Sequence, residues 1–364
     1  MKVLFFTHLP PPIHGVTYIN SLIYRSKLIN ESFETEYHNL SLSKTNQDLN
    51  NKGLMKVLFA IKHFLKSIYK VLFTKYDVLY ISLAPNGVTF FRDGFLVLLA
   101  SIKGKKCLAH LHGKGVDRLR RKKIWHIGYT LVLKRLYIIH LSKKLYSDIS
   151  FYVSEDKCFF LANTIDPINE SIQSISKVPN QLSFIANLRP SKGLFELLKI
   201  MDYIVNNDGL NEVKLNIIGS FRTKDVEVET KNKIKELNLQ ENIVFKGALF
   251  DEDKMIELAS SSIFIYPTLE EAFPLVVIES LQLGTPIVAY DEGAISDMVV
   301  SDENGYLIEK GNTIEFAQKV IKILNDNALA EQFGKNSYQK YCDSYTCSHF
   351  ENALFKILSK FRIN

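Results

Sequence analysis

The feature that most limits how this chain can fold is the regular alternation of short apolar runs with amphipathic segments. Short apolar runs bounded by turn residues are typical of buried β-strands, and the longer segments between them have the period of helices. The predicted elements in the first half are strands at residues 3–6, 78–81 and 107–112 and a helix at 18–28. Because strands that alternate with helices form parallel sheets, the sequence predicts a doubly wound α/β fold.

The same alternation starts again in the second half of the chain. It predicts strands at residues 182–186, 214–218, 243–246 and 263–266, and a helix at 194–205. A length of 364 residues also exceeds what one hydrophobic core usually supports. We therefore predict two Rossmann-like domains, at residues 1–170 and 180–346, and a C-terminal segment, 347–364, with a closing helix over 350–361. A turn-rich hinge is expected at 168–181.

The composition is that of a globular enzyme and argues against several other classes. The apolar fraction is 46%, yet no uninterrupted apolar run reaches the roughly 18 residues that a membrane span needs. The first apolar run leads into a loop rather than a signal-peptide cleavage site, so we expect a cytoplasmic protein. The four cysteines have no CxxC spacing, and neither zinc nor a disulfide framework is expected. We predict no metal site and no cofactor.

Charge is distributed unevenly along the chain. Residues 1–180 carry 26 Lys and Arg against 12 Asp and Glu, net +14, and the rest carries 19 against 27, net −8. Within the basic half, Lys62, Lys66 and Lys70 recur among apolar residues over 54–75, which predicts an amphipathic basic helix, and a second basic cluster covers 114–123. We predict that these stretches bind an anionic membrane surface. The alternative is an apolar face that is simply core, with solvated lysines; nucleic acid is disfavoured because no binding motif accompanies the charge.

Two acids, Glu271 and Glu279, lie eight positions apart around a predicted helix start. Pro274 suits the first turn of a helix because it has no amide proton to leave unpaired. The free backbone amides near Leu275 and Val276 would then form an anion site at the positive end of the helix dipole. A ligand with an anionic middle and hydroxyl groups on both sides fits this arrangement.

The residues around this pair resemble the donor site of the retaining glycosyltransferases of family 4. The family motif is two glutamates separated by seven residues and followed by a small-Gly-Thr-Pro-Val segment, which residues 283–289 reproduce closely. Residues 163–166 are similar to the Asn-Gly-Val-Asp motif that closes the first domain of the family. The resemblance implies the GT-B fold, in which two Rossmann-like domains with parallel sheets face each other and a C-terminal helix returns to the first domain.

The resemblance also implies roles for individual residues. Glu271 would position the sugar hydroxyls, Glu279 would bind the ribose, and Lys192 would stabilise the leaving diphosphate together with the helix amides. Lys192 belongs to a strand-to-helix loop, residues 187–193, that is similar to the Arg and Lys-Gly segment of the family; Arg189 stands three residues before Lys192, where the common spacing is five. The further positions expected to contact the donor are Gly15, Gly219, Gly247, Phe273, Pro274, Leu275 and Val276.

Histidines contribute a further set of expectations in the first domain. His112 resembles the family histidine that meets the transferred sugar, whereas we favour a structural role for His110. His14 stands where the family commonly has the first of two adjacent glycines, and it is either a polar substitute or a spectator. Gly15, the second position, is the expected backbone contact.

The resemblance implies a metal-independent hexosyl- or N-acetylhexosaminyl-transferase that retains anomeric configuration. A UDP-sugar is the favoured donor and a GDP-sugar the alternative, and a lipid-linked saccharide of a surface polysaccharide or lipopolysaccharide pathway is the expected acceptor. The enzyme would be peripherally associated with the inner face of the plasma membrane. Two other classes stay open: a nucleotide-sugar epimerase of the same fold, and a catalytically silent partner that only binds the nucleotide-sugar.

Overall fold

The computed structural model describes residues 1–41 and 54–362 and divides into two compact units. The first unit comprises Met1–Thr164 and Cys347–Asn364, and the second comprises Ile165–Thr346. The division therefore comes ahead of residues 168–181, where the sequence predicts a hinge. Those residues instead contain a short helix, Glu170–Gln173, and the start of the strand Val178–Ile185. The turn-forming side chains that suggested a hinge lie between and around these two elements.

The first unit is built on a parallel sheet. Its strands are β1 (Lys2–Thr7), β2 (Glu34–Asn39), β3 (Val78–Leu83), β4 (Lys106–Leu111), β5 (Tyr137–His140) and β6 (Cys158–Phe160). In the described residues these six strands lie in the order β2-β1-β3-β4-β5-β6. The helices are α1 (Gly15–Arg25), α2 (Lys27–Ser32), α3 (Leu54–Phe73), α4 (Gly87–Ile102), α5 (Val116–Leu119), α6 (Lys123–Val132) and, from the end of the chain, α15 (Cys347–Ser359).

The second unit repeats this plan. Its strands are β7 (Val178–Ile185), β8 (Lys214–Ile218), β9 (Ile243–Gly247), β10 (Ser261–Tyr266), β11 (Ile287–Tyr290) and β12 (Gly305–Ile308). They form a parallel sheet in the order β12-β11-β10-β7-β8-β9. The helices are α7 (Glu170–Gln173), α8 (Leu194–Asp202), α9 (Lys224–Glu236), α10 (Asp251–Ser260), α11 (Leu275–Gln282), α12 (Ile295–Met298), α13 (Thr313–Leu324) and α14 (Asn327–Ser344). The two sheets confirm the predicted doubly wound α/β fold.

Many strands are apolar along most of their length because helices cover both faces of each sheet. Every residue of β3 is buried, and such continuous apolar runs are typical of parallel sheets with helices on both sides. Polar β2, by contrast, escaped prediction because it lies at the edge of its sheet and only one of its residues is buried. Over residues 1–41 and 54–362, no helix combines the length and the apolar character that crossing a membrane requires.

Several predicted helices have different limits. The helix expected at 18–28 ends at Arg25, because Ser26 takes an extended conformation and its hydroxyl accepts the amide of Ile29 at 3.3 Å to start α2. The helix expected at 194–205 ends at Asp202 and passes into a π-helical turn. The closing helix runs over Cys347–Ser359 instead of 350–361.

The C-terminal helix belongs to the first unit, which confirms the predicted return. Phe355 of α15 packs against Phe33 with a ring-centroid distance of 5.7 Å. Phe361, just beyond the helix, lies edge-on to Tyr137 at 5.0 Å. Aromatic pairs of this kind stabilise a fold by more than the burial of their surface area alone. Phe355 and Phe361 therefore contribute to the core of the first unit.

We predict that Phe361→Ala lowers the free energy of unfolding of the first unit by about 3 kcal/mol, because it removes a buried ring and leaves a cavity. Urea unfolding followed by the fluorescence of Trp125 measures this, since Trp125 is the single tryptophan and lies in the first unit. Lys356→Ala, an exposed change on the same helix, is the control and should have little effect. Equal midpoints for the two variants would contradict the assignment of the helix to this core.

Candidate functional site

The candidate site lies where the strand order of the second sheet reverses. β7 begins the unit, and the chain continues to β8 and β9 on one side and to β10, β11 and β12 on the other. Ligands of open α/β sheets bind at the carboxyl ends of the strands that flank such a reversal. The loop with Lys192 follows β7, and the loop with Glu271 follows β10, so sheet topology brings these two predicted residues together.

Lys192 and Glu271 are bonded directly to each other. The Lys192 Nζ donates to Glu271 Oε2 at 2.6 Å and to the Glu270 carbonyl oxygen at 3.1 Å. Both side chains of the pair are mostly buried, with 13% and 17% of their surface exposed. The sequence predicts contacts of these two residues with separate parts of a ligand, and the structure adds that they form an ion pair with each other.

Glu271 is held by further donors. The hydroxyl of Tyr266 donates to Oε2 at 2.8 Å, and the backbone amide of Ala272 donates to Oε1 at 2.9 Å. Burial, followed by the carboxylate of Glu271, raises the pKa of Tyr266 well above its usual value, so this hydroxyl stays protonated as a donor. The carboxylate is therefore fixed in one orientation.

The two loops are also joined through their backbones. The carbonyl oxygen of Ser191 accepts the amides of Leu269 and Glu270 at 3.1 and 3.0 Å. Gly193, which follows Lys192, has a φ of 78°, and a Cβ placed there would lie 1.8 Å from the carbonyl oxygen of Pro267. Only glycine fits this close approach, and the Lys-Gly sequence is thus explained by the contact between the loops.

α11 begins at Leu275 with Pro274 in an extended conformation as its N-cap. No hydrogen bond of the described residues uses the backbone amides of Leu275 and Val276, as expected for the first turn of a helix. Phe273 lies inward, with 5% of its surface exposed, and its ring centroid is 6.3 Å from that of Tyr345. The sequence placed Phe273 at the donor, and the structure places its side chain in the interior next to the helix start.

Glu279 lies one turn into α11 and is almost fully buried. Its Oε1 accepts the Nζ of Lys254, from α10, at 2.7 Å. The sequence did not predict Lys254, although a lone cation after three acids, at residues 251–253, is a signal that could have been noticed. Both glutamates of the motif therefore have a lysine partner in the second unit.

Arg189 lies at the start of the same loop as Lys192. Its Nε is buried and has no hydrogen-bond partner among the described residues. A buried guanidinium donor that lacks an acceptor is costly. Arg189 therefore has hydrogen-bonding capacity that a ligand could satisfy.

The two predicted glycines at the ends of neighbouring strands differ in their surroundings. A Cβ on Gly219 would lie 1.8 Å from the carbonyl oxygen of Ala186, so this glycine is required by the approach of β7 and β8. The sequence attributed it to the approach of a ligand. Gly247, at the end of β9, has a φ of 72° and open space around its Cα.

An acidic loop, residues 291–297, lies next to the site. In the structure Glu292 is the acid that meets the Glu271 loop, because its Oε1 accepts the amide of Glu271 at 3.4 Å. Lys310 pairs with the other oxygen of Glu292 at 2.7 Å. The pairing was missed because Lys310 comes from beyond β12.

Histidines gather at the carboxyl edge of the first sheet. His110, in β4, is fully buried and its Nδ1 lies 2.6 Å from the hydroxyl of Tyr80, which is a core arrangement. His112 follows the strand with its ring 4.0 Å from that of His110, and both its nitrogens are buried without a hydrogen-bond partner among the described residues. Burial, with smaller contributions from neighbouring histidines, lowers the pKa of His112 to about 3, so its ring is neutral near pH 7.

The loop after β1 places Gly15 at the exposed start of α1. His14 is the N-cap of that helix, and its amide donates to the hydroxyl of Thr17 at 2.9 Å. The side chain of His14 is exposed. In the first unit, therefore, Gly15 and His112 both lie at the carboxyl edge of the sheet.

Metal-ligating side chains do not gather in the part of the chain that the structure describes: no group of three or more His, Cys, Asp or Glu is placed to hold an ion.

Part of the second unit matches the model of a known protein family. Residues 167–340 match the family model described as Glycosyl transferases group 1. The matched segment lies wholly within the second unit and contains Lys192, Glu271 and Glu279.

Curated relatives point in the same direction. The chain is similar to the poly(ribitol-phosphate) alpha-N-acetylglucosaminyltransferase of Staphylococcus aureus, with 29% identity over 49% of this chain and 34% of that protein. It is also similar to the capsular polysaccharide biosynthesis glycosyltransferase CapM of Staphylococcus aureus, with 30% identity over 44% of this chain and 40% of that protein. The chain thus spans only about a third to two fifths of the length of these relatives. The UDP-Gal:alpha-D-GlcNAc-diphosphoundecaprenol alpha-1,3-galactosyltransferase of Escherichia coli is 22% identical over 72% of this chain and 70% of its own.

Solved structures share the fold over almost the whole chain. Sucrose-phosphate synthase from Thermosynechococcus elongatus has a TM-score of 0.75 at 14% identity, covering 99% of this chain and 98% of that one. Anabaena HepE in complex with UDP-glucose has a TM-score of 0.74 at 16% identity, covering 99% and 100%. These likenesses confirm the GT-B fold class, whereas membership of family 4 in particular stays a prediction. Through residues 167–340, the second unit of this chain is similar to the glycosyl transferases group 1 family.

Proposed function

We propose that this protein is a retaining, metal-independent glycosyltransferase that moves a sugar from a nucleotide diphosphate donor to a lipid-linked saccharide of a surface polysaccharide. The observation that carries the proposal is the convergence of Lys192, Glu271 and the start of α11 at the reversal of the second sheet. Cations and free amides at such a place suit a diphosphate, and buried carboxylates beside them suit sugar hydroxyls.

The donor would exchange the internal ion pair for its own contacts. A diphosphate oxygen can compete with Glu271 for the ammonium of Lys192, and the Nε of Arg189 offers a second buried donor. As the bond to the sugar breaks, negative charge grows on the leaving diphosphate. Lys192 and the amides of Leu275 and Val276 are fixed donors that would stabilise this charge without rearrangement.

The glutamates would orient the two ends of the donor. Once Lys192 turns to the phosphate, Glu271 keeps the Tyr266 and Ala272 bonds, and its carboxylate can accept a sugar hydroxyl. Glu279, held by Lys254 one turn deeper, would accept from the ribose hydroxyls. The neutral ring of His112 would bind a hydroxyl of the transferred sugar. The acceptor would attack from the side of the leaving group, which would take the proton, so no separate base is assigned.

UDP is the favoured nucleotide. The E. coli relative is named for a UDP-galactose donor and a diphosphoundecaprenol-linked acceptor, and the Anabaena structure contains UDP-glucose. These names support a hexosyl- or N-acetylhexosaminyl-transferase that uses a UDP-sugar, with a GDP-sugar as the alternative. They likewise support a lipid-linked acceptor, and therefore localisation of the enzyme at the inner face of the plasma membrane.

The surface of α3 supports membrane association. Leu58, Ile61, Leu65 and Tyr69 follow one another at helical spacing, and each is between 51% and 62% exposed. They are exposed, whereas Ser67 and Val71 of the same helix are buried. The alternative that the apolar side chains of this helix are all core therefore does not account for them. Lys62 and Lys66, both exposed, flank this stripe, and a basic helix with an exposed apolar stripe is suited to an anionic lipid surface.

Two neighbouring helices extend the apolar surface. Phe95 of α4 lies against Phe64 of α3 with a ring-centroid distance of 5.9 Å, and Phe91 of α4 lies 4.8 Å from Trp125 of α6. Further apolar side chains are exposed on these helices, namely Val88 and Ile102 of α4 and Ile124, Ile127 and Leu131 of α6. Exposed Arg121, Lys122 and Lys123 lead into α6. Exposed apolar side chains on three neighbouring helices, with cations beside them, support an interaction surface here.

We predict that Lys192→Ala and Glu279→Ala each weaken the binding of UDP at least about ten-fold, because each removes a charged contact to the nucleotide. Isothermal titration with UDP, and with GDP if UDP does not bind, measures the affinity. Lys199→Ala is the matched control, since Lys199 lies on α8, is 62% exposed and pairs with Glu196. Wild-type affinity in both site variants would remove these residues from the donor site.

Chelation should leave turnover within about two-fold of its starting value, because lysine and amide donors would stabilise the diphosphate. The measurement is release of UDP from UDP-glucose, UDP-galactose and UDP-N-acetylglucosamine, with extracted lipid-linked saccharide as acceptor and excess EDTA. Lys192→Ala should be inactive and should not recover with Mg²⁺ or Mn²⁺. Loss of wild-type activity in EDTA and its return with either ion would contradict the proposed mechanism.

Vesicles that contain anionic lipid should bind this protein. Both the exposed apolar side chains of α3 and the basic side chains near them should contribute to binding. Ile61→Ser with Leu65→Ser should weaken binding at least about ten-fold by removing apolar area that would enter the lipid. The matched control is Val228→Ser with Ile314→Ser, two side chains of the second unit with similar exposure, at 57% and 55%. Sedimentation with sucrose-loaded vesicles gives the bound fraction. Equal binding of the α3 double variant and its control would contradict the proposal that α3 binds the membrane.

The electrostatic contribution to vesicle binding is tested by one variant in which five basic residues are replaced by glutamine, namely Lys62, Lys66, Arg121, Lys122 and Lys123. This variant should lose the preference for anionic over neutral vesicles, and salt should weaken wild-type binding because exposed charges are screened over about 8 Å at physiological ionic strength. Arg120, although part of the predicted cluster, is left unchanged because it is bonded to Asp117 and lies over the ring of Phe151. An unchanged preference for anionic vesicles in this variant would show that the basic side chains do not contribute.

A further inference from the structure

A cavity lies at the amino-terminal ends of the strands of the second sheet, whereas the candidate site lies at their carboxyl ends. Its volume is about 630 Å³, within the usual range for sites of small ligands. It is bordered by the residues that precede β7 and β11, by the start of β10, and by α13 and α14. The larger apolar side chains of its lining are Ile263, Leu283, Ile323, Leu324 and Tyr338.

One lysine in this lining has no acidic partner. The Nζ of Lys177 donates to the hydroxyl of Thr285 at 2.5 Å and to the carbonyl oxygen of Leu283 at 3.4 Å. Within residues 1–41 and 54–362, no carboxylate forms an ion pair with Lys177. Burial lowers the pKa of its ammonium to about 7, as expected for a charge that is removed from water and met only by neutral oxygens.

The other charged groups of the lining do not compensate Lys177. Glu331 and Lys335 lie on α14, one turn apart, with 4.0 Å between the carboxylate and the ammonium, and both side chains are largely exposed. They balance each other, so the cavity keeps one amine, that of Lys177, without a charged partner at an otherwise mainly apolar wall. A carboxylate beside this amine would favour its protonated form. A single ammonium suits a carboxylate, and the wall beside it suits a hydrocarbon or aromatic body.

We propose that this cavity is a binding site for a small monocarboxylate with an apolar body, whose carboxylate pairs with Lys177. Thr285 would keep Lys177 in place from the other side, because the Thr285 hydroxyl also donates to the Leu258 carbonyl oxygen at 3.4 Å. The ligand would thus supply the one partner that the protein does not give to this side chain. This site does not depend on the proposed transferase activity.

Octanoate is the probe, and 1-octanol of the same chain length is its neutral comparison. Wild-type protein should bind octanoate at least about ten-fold more tightly than 1-octanol, as measured by titration calorimetry. Lys177→Met should remove this preference and leave the affinity for 1-octanol within about two-fold. Lys335→Met, in the same lining but exposed, is the matched control and should keep the preference for octanoate.

Two further measurements keep the result decisive. Lys177→Met should melt at or above the wild-type temperature, since methionine is of similar length and carries no charge to desolvate. Ala330→Trp, which places an indole on the α14 wall of the cavity, should abolish binding of both probes, and this separates the cavity from the exposed apolar surface of the first unit. Equal wild-type affinities for the two probes, or unchanged octanoate binding by either Lys177→Met or Ala330→Trp, would overturn the proposal.

Discussion

The arrangement of the candidate site depends on one steric constraint, the contact of two loops through backbone atoms. Gly193 lies so close to the carbonyl oxygen of Pro267 that no side chain fits, and the carbonyl oxygen of Ser191 accepts two amides of the opposite loop. These contacts set the distance between the residues that follow β7 and β10. The Lys192–Glu271 pair then forms over 2.6 Å without either side chain having to reach far. The chemistry is therefore positioned by main-chain packing, and the side chains add charge to a geometry that is already fixed.

The charges of the second unit are organised in pairs. Lys192 is bonded to Glu271, Lys254 to Glu279 and Lys310 to Glu292, each at 2.6 or 2.7 Å. An anionic ligand would enter a region in which these three lysines are already neutralised and the Nε of Arg189 has no partner among the described residues. Where it meets a lysine, its affinity must reflect the exchange of one partner for another. Because these lysines are held in fixed positions, little conformational entropy remains to be lost when a ligand takes over the contact.

The sequence was most informative where the signal is local. The ends of β7 and β10, the helix after Pro274 and the Lys-Gly pair were predictable because turn residues and apolar periodicity act over a few positions. Partners that come from distant elements were not predictable. Lys254 reaches Glu279 from α10, and Lys310 reaches Glu292 from beyond β12. Even where a cation is noticeable in the sequence, as Lys254 is, a single sequence does not show which acid it pairs with, because the pairing arises when the sheet order places the elements side by side. The same reason explains why Gly219 was attributed to a ligand, although the backbone of Ala186 requires it.

The apolar side chains that α3 exposes to water have a practical consequence for handling the protein. One side of the helix is committed to the core, with Ser67 and Val71 buried, while the other side leaves large apolar side chains in water. About half of the surface of each of these side chains stays exposed after folding, and such a surface favours contact between molecules as their concentration rises. Solubility would then fail before stability does. Mild detergent during purification should therefore help to keep the protein monodisperse by covering the exposed apolar side chains of α3.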